Sequence, residues 1–129
     1  MVRGIYDAVA RRDDVTLFEV YAEDIVWDLS NSRRTALGID PIYHGHEGVR
    51  QFWRDGLSVS GEVDLELEEL IDAGDQVVAV TREHGVGRAS GVPVASIAVS
   101  VWTFAGGKVI QMRVFDDRQQ ALEAAGLKV

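Results

Sequence analysis

The chain has 129 residues, 47% hydrophobic and 26% charged, a composition that is typical of one globular domain and excludes a disordered chain. Thirteen basic and 21 acidic residues give a net charge of −8, so the chain repels phosphate backbones and we expect no nucleic-acid partner. There is no cysteine, no apolar run near the roughly 20 residues of a membrane span, and no signal-peptide core at the amino terminus. We therefore expect a single cytoplasmic domain over residues 1–129 with no membrane contact.

Two helices are predicted at the start of the chain. The apolar residues of the first recur at helical spacing, at Val2, Ile5, Tyr6 and Val9. Asp13 or Asp14 then caps a second, short helix over residues 15–22.

A strand and a third helix follow. Residues 25–29 alternate in polarity, which predicts a strand with Trp27 on one face and Asp28 on the other. The polar segment 30–41 indicates a loop. The third helix follows residues 43–45, and its apolar stripe consists of Val49, Phe52, Trp53 and Leu57.

Four consecutive strands fill most of the remaining chain. They are predicted over residues 62–72, 74–86, 92–104 and 107–115, with a break in alternation at residues 69–71 that indicates a bulge. Asp117, with Gln120 three residues later, caps a closing helix that stops at Gly126.

The third of these strands has two different faces. One is apolar and β-branched, and the other is small, formed by Ser96, Ala98 and Ser100 and followed by Trp102 and Phe104. A face of small side chains beneath aromatic rings can form the base of a cavity, or it can let another element pack closely against the sheet. The sequence allows both interpretations. Consecutive strands with segregated helices predict an α+β fold: a cone-shaped, curved, mixed or antiparallel sheet with helices on its concave face.

Several phrases together resemble the nuclear-transport-factor-2-like superfamily, specifically its SnoaL-like and ketosteroid-isomerase-like branch. They cover nearly the whole chain in the family's order and include IYDAVARRDD, YAEDIVWD, YHGHEGVRQFWRD and VSVWTFAGGKVIQMRVF. The resemblance implies a cystatin-like fold and a homodimer paired through the outer sheet face. It does not select a reaction, because the family includes isomerases, cyclases, dehydratases and epoxide hydrolases.

Ketosteroid isomerases use a carboxylate base on the first strand and an oxyanion hole formed by a helix-one tyrosine and a protonated Asp. The resemblance places Tyr6 at the tyrosine and Ser100 at the oxyanion Asp. The base position falls on Leu29, with Asp28 one residue earlier and therefore on the opposite face, unless a bulge turns it inward.

Two other chemistries of the family were compared with the chain. Limonene-epoxide-hydrolase-like members need Arg-x-Asp and a second Asp, where this chain has Thr81, Glu83 and Val114, so this reaction is disfavoured. SnoaL-type polyketide cyclases use one pocket carboxylate as an acid-base group, and Asp28 or Glu83 is available for that role. The alternative is a solvated Asp28 and a Glu83 paired with an arginine.

We expect the ligand to be a small hydrophobic molecule. The residues predicted to bind it are Trp27, His44, Trp53, Trp102, Met112 and Val114, and the three tryptophans are expected to meet over one cavity. His44 and His46 lack a third ligand nearby, so no metal site is predicted, and no dinucleotide or phosphate-loop motif indicates a cofactor.

Two hypotheses follow. The first is a cofactor-independent isomerase, cyclase or dehydratase, with Asp28 as base and with Tyr6 and Ser100 holding the developing oxyanion. The second is a dimeric binding or scaffold protein whose cone holds a ligand without converting it. The orientation of Asp28 on its strand discriminates between them, because the enzyme hypothesis needs this carboxylate to face the cone.

Overall fold

The computed structural model describes residues 2–11, 13–31, 41–60, 63–86 and 93–127. The elements in chain order are α1 (Val2–Ala10), α2 (Asp14–Val20), β1 (Tyr21–Asp28), β2 (Ile42–His44), α3 (Gly45–Ser60), β3 (Val63–Asp72), β4 (Gln76–Val86), β5 (Pro93–Ala105), β6 (Lys108–Phe115) and α4 (Arg118–Ala124).

The six strands form one curved sheet in the order β2-β1-β6-β5-β4-β3. Neighbouring strands are antiparallel except for β1 and β6, which run parallel and join the first strand of the chain to the last. This mixed sheet with helices confirms the predicted α+β class. No helix in the described part of the chain is long and apolar enough to cross a membrane.

The helices divide between the two faces of the sheet. We call the face under α1, α2 and α3 the inner face; their buried residues pack there with Trp27, Ala79, Trp102 and Met112. The other side, the outer face, carries Val78, Val99 and Val101 under Ala121 and Leu122 of α4. The two faces predicted for the third long strand are therefore confirmed, and α4 lies opposite the other three helices.

One row of large side chains crosses the inner face from strand to strand. Backbone register places these residues directly opposite their neighbours: Val77, Trp102, Met112, Trp27 and Tyr43. Side chains opposite each other on adjacent strands share a face and pack in pairs. Helices α1, α2 and α3 pack against this row.

Three local predictions differ from the structure. The second helix was predicted over residues 15–22, but α2 ends at Val20, and Tyr21 and Ala22 already belong to β1. A short strand, Ile42–His44, was not predicted; it pairs with β1. The predicted bulge exists, but the register of β3 shifts between Leu67 and Glu69, just before residues 69–71.

The predicted caps are confirmed. Asp13 accepts a hydrogen bond from the backbone N–H of Thr16 at 3.2 Å, and Asp117 accepts one from Gln120 at 2.8 Å. Gly126 has φ = 79°, and the N–H of Leu127 bonds back to the carbonyl of Leu122 at 2.9 Å. This left-handed glycine ends α4 in the manner predicted.

A polar contact fastens β2 to α3. The hydroxyl of buried Tyr43 donates to Asp55 at 2.6 Å, and the side-chain amide of Gln51 donates to the other carboxylate oxygen at 2.7 Å. These hydrogen bonds, first that from Tyr43 and then that from Gln51, hold the pKa of Asp55 below its ordinary value of 3.8.

We predict that Tyr43→Phe lowers the melting temperature by several degrees at neutral pH, because it removes a hydrogen bond to a charged group. A lowered pKa contributes stability that is present above the unfolded-state pKa and is lost as pH falls through the folded-state value. The difference between parent and variant should therefore shrink below about pH 4 in thermal denaturation. A difference that stays constant down to pH 2 contradicts this account.

Candidate functional site

Two hydroxyls meet on the inner face. The Tyr6 hydroxyl, from α1, lies 3.0 Å from the Ser100 Oγ of β5, across 94 residues of sequence. The indole N–H of buried Trp102 donates to the same Oγ at 2.9 Å. We call these three hydrogen-bonded side chains the Tyr6–Ser100–Trp102 triplet. It brings together the two residues to which the resemblance assigned an oxyanion role.

Small side chains make room for the triplet. Ser100 pairs with Ala79 across β4, and Ala98, the preceding residue on the same face, pairs with Thr81. Thr81 is buried, and its hydroxyl donates to the backbone carbonyl of Ala98 at 3.1 Å. Because these side chains are short, the ring of Tyr6 reaches the sheet itself.

Aromatic rings enclose the triplet on one side. The Trp102 ring lies 5.9 Å from Tyr6, 6.3 Å from Tyr21 and 6.3 Å from Trp27, measured between ring centroids. Tyr21 and Trp27 are themselves 5.9 Å apart in an edge-to-face arrangement. The polar triplet therefore lies against a wall of aromatic rings.

Tyr21 and Trp27 carry polar atoms inside this wall. The Tyr21 hydroxyl and the Trp27 indole nitrogen are both buried, and neither has a hydrogen-bond partner within the described residues. Burial, with a smaller contribution from neighbouring Tyr6, raises the pKa of Tyr21 well above its ordinary value. The hydroxyl therefore stays protonated and neutral.

Asp28 does not join the triplet. Trp27 faces inward, so Asp28, the next residue on β1, points to the other side of the strand. Its carboxylate accepts hydrogen bonds from the backbone N–H of Ser30 at 2.9 Å and from the Ser30 hydroxyl at 2.5 Å. The carboxylate thus closes a turn at the end of β1.

The other predicted site residues lie in different surroundings. The backbone of Glu83 pairs with Ser96 in β4 and β5, while its side chain lies outside the described residues. Met112 and Val114 are buried on the inner face, and His44 is exposed. Trp53 does not meet Trp27 and Trp102 but packs against Phe18, with ring centroids 5.5 Å apart.

The histidines of α3 and β2 have structural partners or lie in solvent. His46 donates from Nε2 to the backbone carbonyl of Tyr21 at 2.9 Å, and its ring lies 4.7 Å from that of Phe18. Among the described residues, no group of three or more metal-ligating side chains comes together.

An open cleft of about 480 Å³ lies between the start of α1 and the ends of the strands. Its apolar wall contains Val2, Val77 and Phe104, with Arg3 and Asp72 also lining it. Val77 is directly opposite Trp102, and Val2 lies one helical turn before Tyr6. The cleft therefore contacts neighbours of Trp102 and Tyr6, while the triplet residues themselves are not among those that line it.

Tyr21 is the site residue that the sequence analysis missed. It was assigned to the apolar stripe of the second helix, where a tyrosine after Leu17 and Phe18 fits the helical period. No clear sequence signal extends the strand back to Tyr21, because the exposed Glu23 and Asp24 interrupt the alternation that Ile25 and Trp27 begin.

Comparison with known proteins gives the following matches. The SnoaL-like domain model matches residues 2–112. An NTF2-like protein of unknown function from Burkholderia pseudomallei is 24% identical, the match covering 95% of this chain and 92% of that chain, with a TM-score of 0.80. TerC, co-crystallised with polyporic acid, is 22% identical, with 97% and 95% covered and a TM-score of 0.79.

A third structure, a candidate SnoaL-like polyketide cyclase from a Jannaschia species, is 22% identical, with 86% of this chain and 76% of that chain covered and a TM-score of 0.64. At these identities the three structures establish the shared fold. No curated protein matches the chain in sequence.

We predict that Ser100→Ala destabilises the protein more than Tyr6→Phe. Losing the Tyr6 hydroxyl removes one hydrogen bond, worth about 1 kcal/mol, whereas Ser100→Ala also leaves the buried Trp102 N–H unsatisfied, at a cost of about 1–3 kcal/mol. Urea unfolding of both variants and of the double variant measures this. Strictly additive effects in that cycle would mean that the two hydroxyls do not interact.

Proposed function

The chain belongs to the SnoaL-like domain family, and on that premise we propose that it binds a small, flat, hydrophobic carbonyl compound on the inner face of its sheet. The observation that carries the proposal is the 3.0 Å contact between the hydroxyls of Tyr6 and Ser100. Two hydroxyls that meet inside an aromatic enclosure are suited to hold an oxygen atom of a ligand.

The chemistry of the surroundings supports this ligand class. The rings of Tyr21, Trp27 and Trp102 offer flat apolar surfaces, which favour a planar hydrophobic body. Hydrogen bonds in such low-dielectric surroundings are stronger than in water. An oxygen placed at the Tyr6–Ser100 pair is therefore recognised strongly and in one orientation.

The cleft beside α1 supplies a route for the ligand. Its wall contains Val77, which is directly opposite Trp102, and Val2, which lies one helical turn before Tyr6. A molecule that enters there passes the charged side chains of Arg3 and Asp72 at the rim before it reaches these apolar residues. TerC, which shares the fold, was co-crystallised with the small molecule polyporic acid, and this supports a small-molecule role for the same architecture.

Turnover of the bound ligand is the second candidate function. It is favoured by the position of Tyr6 and Ser100, which fits stabilisation of a developing oxyanion, and by the likeness to a candidate polyketide cyclase. Such an enzyme also needs a base within hydrogen-bond reach of the ligand. Asp28 and Glu83 are the carboxylates proposed for that role.

Binding is preferred over turnover because of Asp28. Its carboxylate already accepts two hydrogen bonds from Ser30 and lies across the strand from Trp27, so using it as a base requires β1 to rearrange. A binding protein needs no such change.

We further propose that the protein forms a homodimer through the part of the outer face that α4 leaves uncovered. Ile97 is 46% exposed there, beside Val80 in a cleft of about 510 Å³ that Glu69 and Arg118 also line. An exposed β-branched residue on a sheet face, next to an ion pair, suits a self-complementary contact.

For ligand binding, we predict that the protein binds 1-tetralone, a flat ketone, more tightly than tetralin, which has the same rings without the oxygen. Tyr6→Phe should weaken the binding of 1-tetralone about tenfold and leave that of tetralin unchanged, because one hydrogen bond to the carbonyl is lost. Isothermal titration calorimetry measures both affinities.

Asp28→Asn is the matched control for this experiment. It changes a carboxylate on the far side of β1, so 1-tetralone should bind as it does to the parent. If neither compound binds to the parent, or if Tyr6→Phe binds both as the parent does, the proposed site is wrong. If the parent converts a ketone and the Asp28→Asn variant does not, the protein is better described as an enzyme.

For the dimer, we predict that Ile97→Lys yields a monomer at micromolar concentrations, because it puts a charge in the centre of the contact. Size-exclusion chromatography with light scattering reports the mass. Val15→Lys, at a residue of α2 that is 68% exposed, is the control and should leave the dimer intact. A parent that elutes as a monomer, or an Ile97→Lys variant that stays dimeric, contradicts this interface.

A further inference from the structure

Two buried polar groups on the inner face lack a hydrogen-bond partner among the described residues. Tyr21 is 0% exposed and Trp27 5% exposed, yet neither the Tyr21 hydroxyl nor the Trp27 indole nitrogen is bonded within that part of the chain. Burying such a group without a partner is destabilising, and native proteins satisfy nearly all of them. Two of them on adjoining rings therefore require an explanation.

A third buried group without a partner, Nε of Arg113, lies elsewhere. Arg113 donates through another nitrogen to the carbonyl of Ala124 at the end of α4, on the outer side of the sheet. The guanidinium of Arg113 is therefore bonded in part, at the C-terminal end of a helix. Within the described residues, the polar atoms of the Tyr21 and Trp27 side chains have no hydrogen bond at all.

The chemistry of the two groups narrows what they can bind. An indole N–H only donates, so its partner must be an acceptor. The Tyr21 hydroxyl stays protonated, because burial raises its pKa, so it can also donate a hydrogen bond to an acceptor. A neutral carbonyl oxygen, with two lone pairs, satisfies both requirements.

The position of the groups relates them to the proposed ligand site. Both rings lie against Trp102, with ring centroids 6.3 Å from it, and the N–H of Trp102 itself donates to Ser100. The Trp102 side chain thus contacts both the Tyr6–Ser100 pair and the Tyr21–Trp27 pair.

We propose that the Tyr21 hydroxyl and the Trp27 indole N–H form a second recognition point that binds a neutral carbonyl oxygen, so that the ligand is a planar compound with two carbonyl groups. The inference rests on the proposed function, since it takes the first carbonyl to be held by Tyr6 and Ser100. It adds a requirement for the second oxygen.

Tyr21→Phe tests this, because it removes one oxygen atom and leaves the ring. The probes are 1,4-naphthoquinone, with two carbonyls, and 1-tetralone, with one; the chain has no cysteine that the quinone could alkylate. We expect the variant to bind the quinone about tenfold more weakly than the parent does and to bind 1-tetralone equally well. Titration calorimetry gives the affinities.

A measurement without ligand accompanies the titration. If the hydroxyl has no partner in the free protein, Tyr21→Phe should keep or raise the melting temperature, since a buried unsatisfied group is lost. Tyr43→Phe is the matched control: that hydroxyl is bonded to Asp55, so its loss should lower the melting temperature and leave quinone binding unchanged.

The outcomes separate the two proposals. If Tyr21→Phe binds both probes as the parent does, the second recognition point is wrong, while Tyr6→Phe still decides the proposed site. If the melting temperature of free Tyr21→Phe falls as that of Tyr43→Phe does, the hydroxyl is already satisfied and the inference is overturned. If the parent binds neither probe, both proposals fail.

Discussion

Each residue of a strand can face only one side of the sheet, and most of the functional argument depends on that constraint. Because Trp27 turns inward to pack on Trp102, Asp28 must turn outward. Because Val99 and Val101 pack under α4, Ser100 and Trp102 face α1. Residues opposite each other on neighbouring strands share a face, so the hydroxyls of Tyr6 and Ser100 and the aromatic rings lie together on the inner side. The carboxylate of Asp28 closes a turn on the other side.

The sequence was sufficient where a short-range pattern decides the structure. The two faces of β5, the caps at Asp13 and Asp117, and the helix end at Gly126 follow from alternation and from local hydrogen bonding, and all are found in the structure. The contact between Tyr6 and Ser100 was implied by family resemblance, because no local pattern connects a helix residue with a strand residue so distant in sequence. The sequence alone was insufficient where packing at a distance decides.

Tyr21 and Trp53 illustrate that insufficiency. Tyr21 continues the helical spacing of Leu17 and Phe18, yet it begins β1, where its backbone pairs with Val109 and its ring packs on Trp102. Tertiary contacts outweighed a weak helical preference. Trp53 lies on the predicted stripe of α3, but the crossing of α3 over the sheet brings it to Phe18 rather than to the other tryptophans. The direction of a helix across a sheet is set by side chains from many elements, and periodicity does not encode it.

The parallel pairing of β1 with β6 has a consequence for how the molecule assembles. β1 lies between β2 and β6, so one of its edges stays open until the last strand of the chain has been made. Contacts between such distant parts of a sequence form slowly, because a long loop must first be closed. The native interior is therefore closed by contacts between the two ends of the sheet's sequence, and we expect the chain to fold more slowly than a protein of the same size whose strands all pair in chain order.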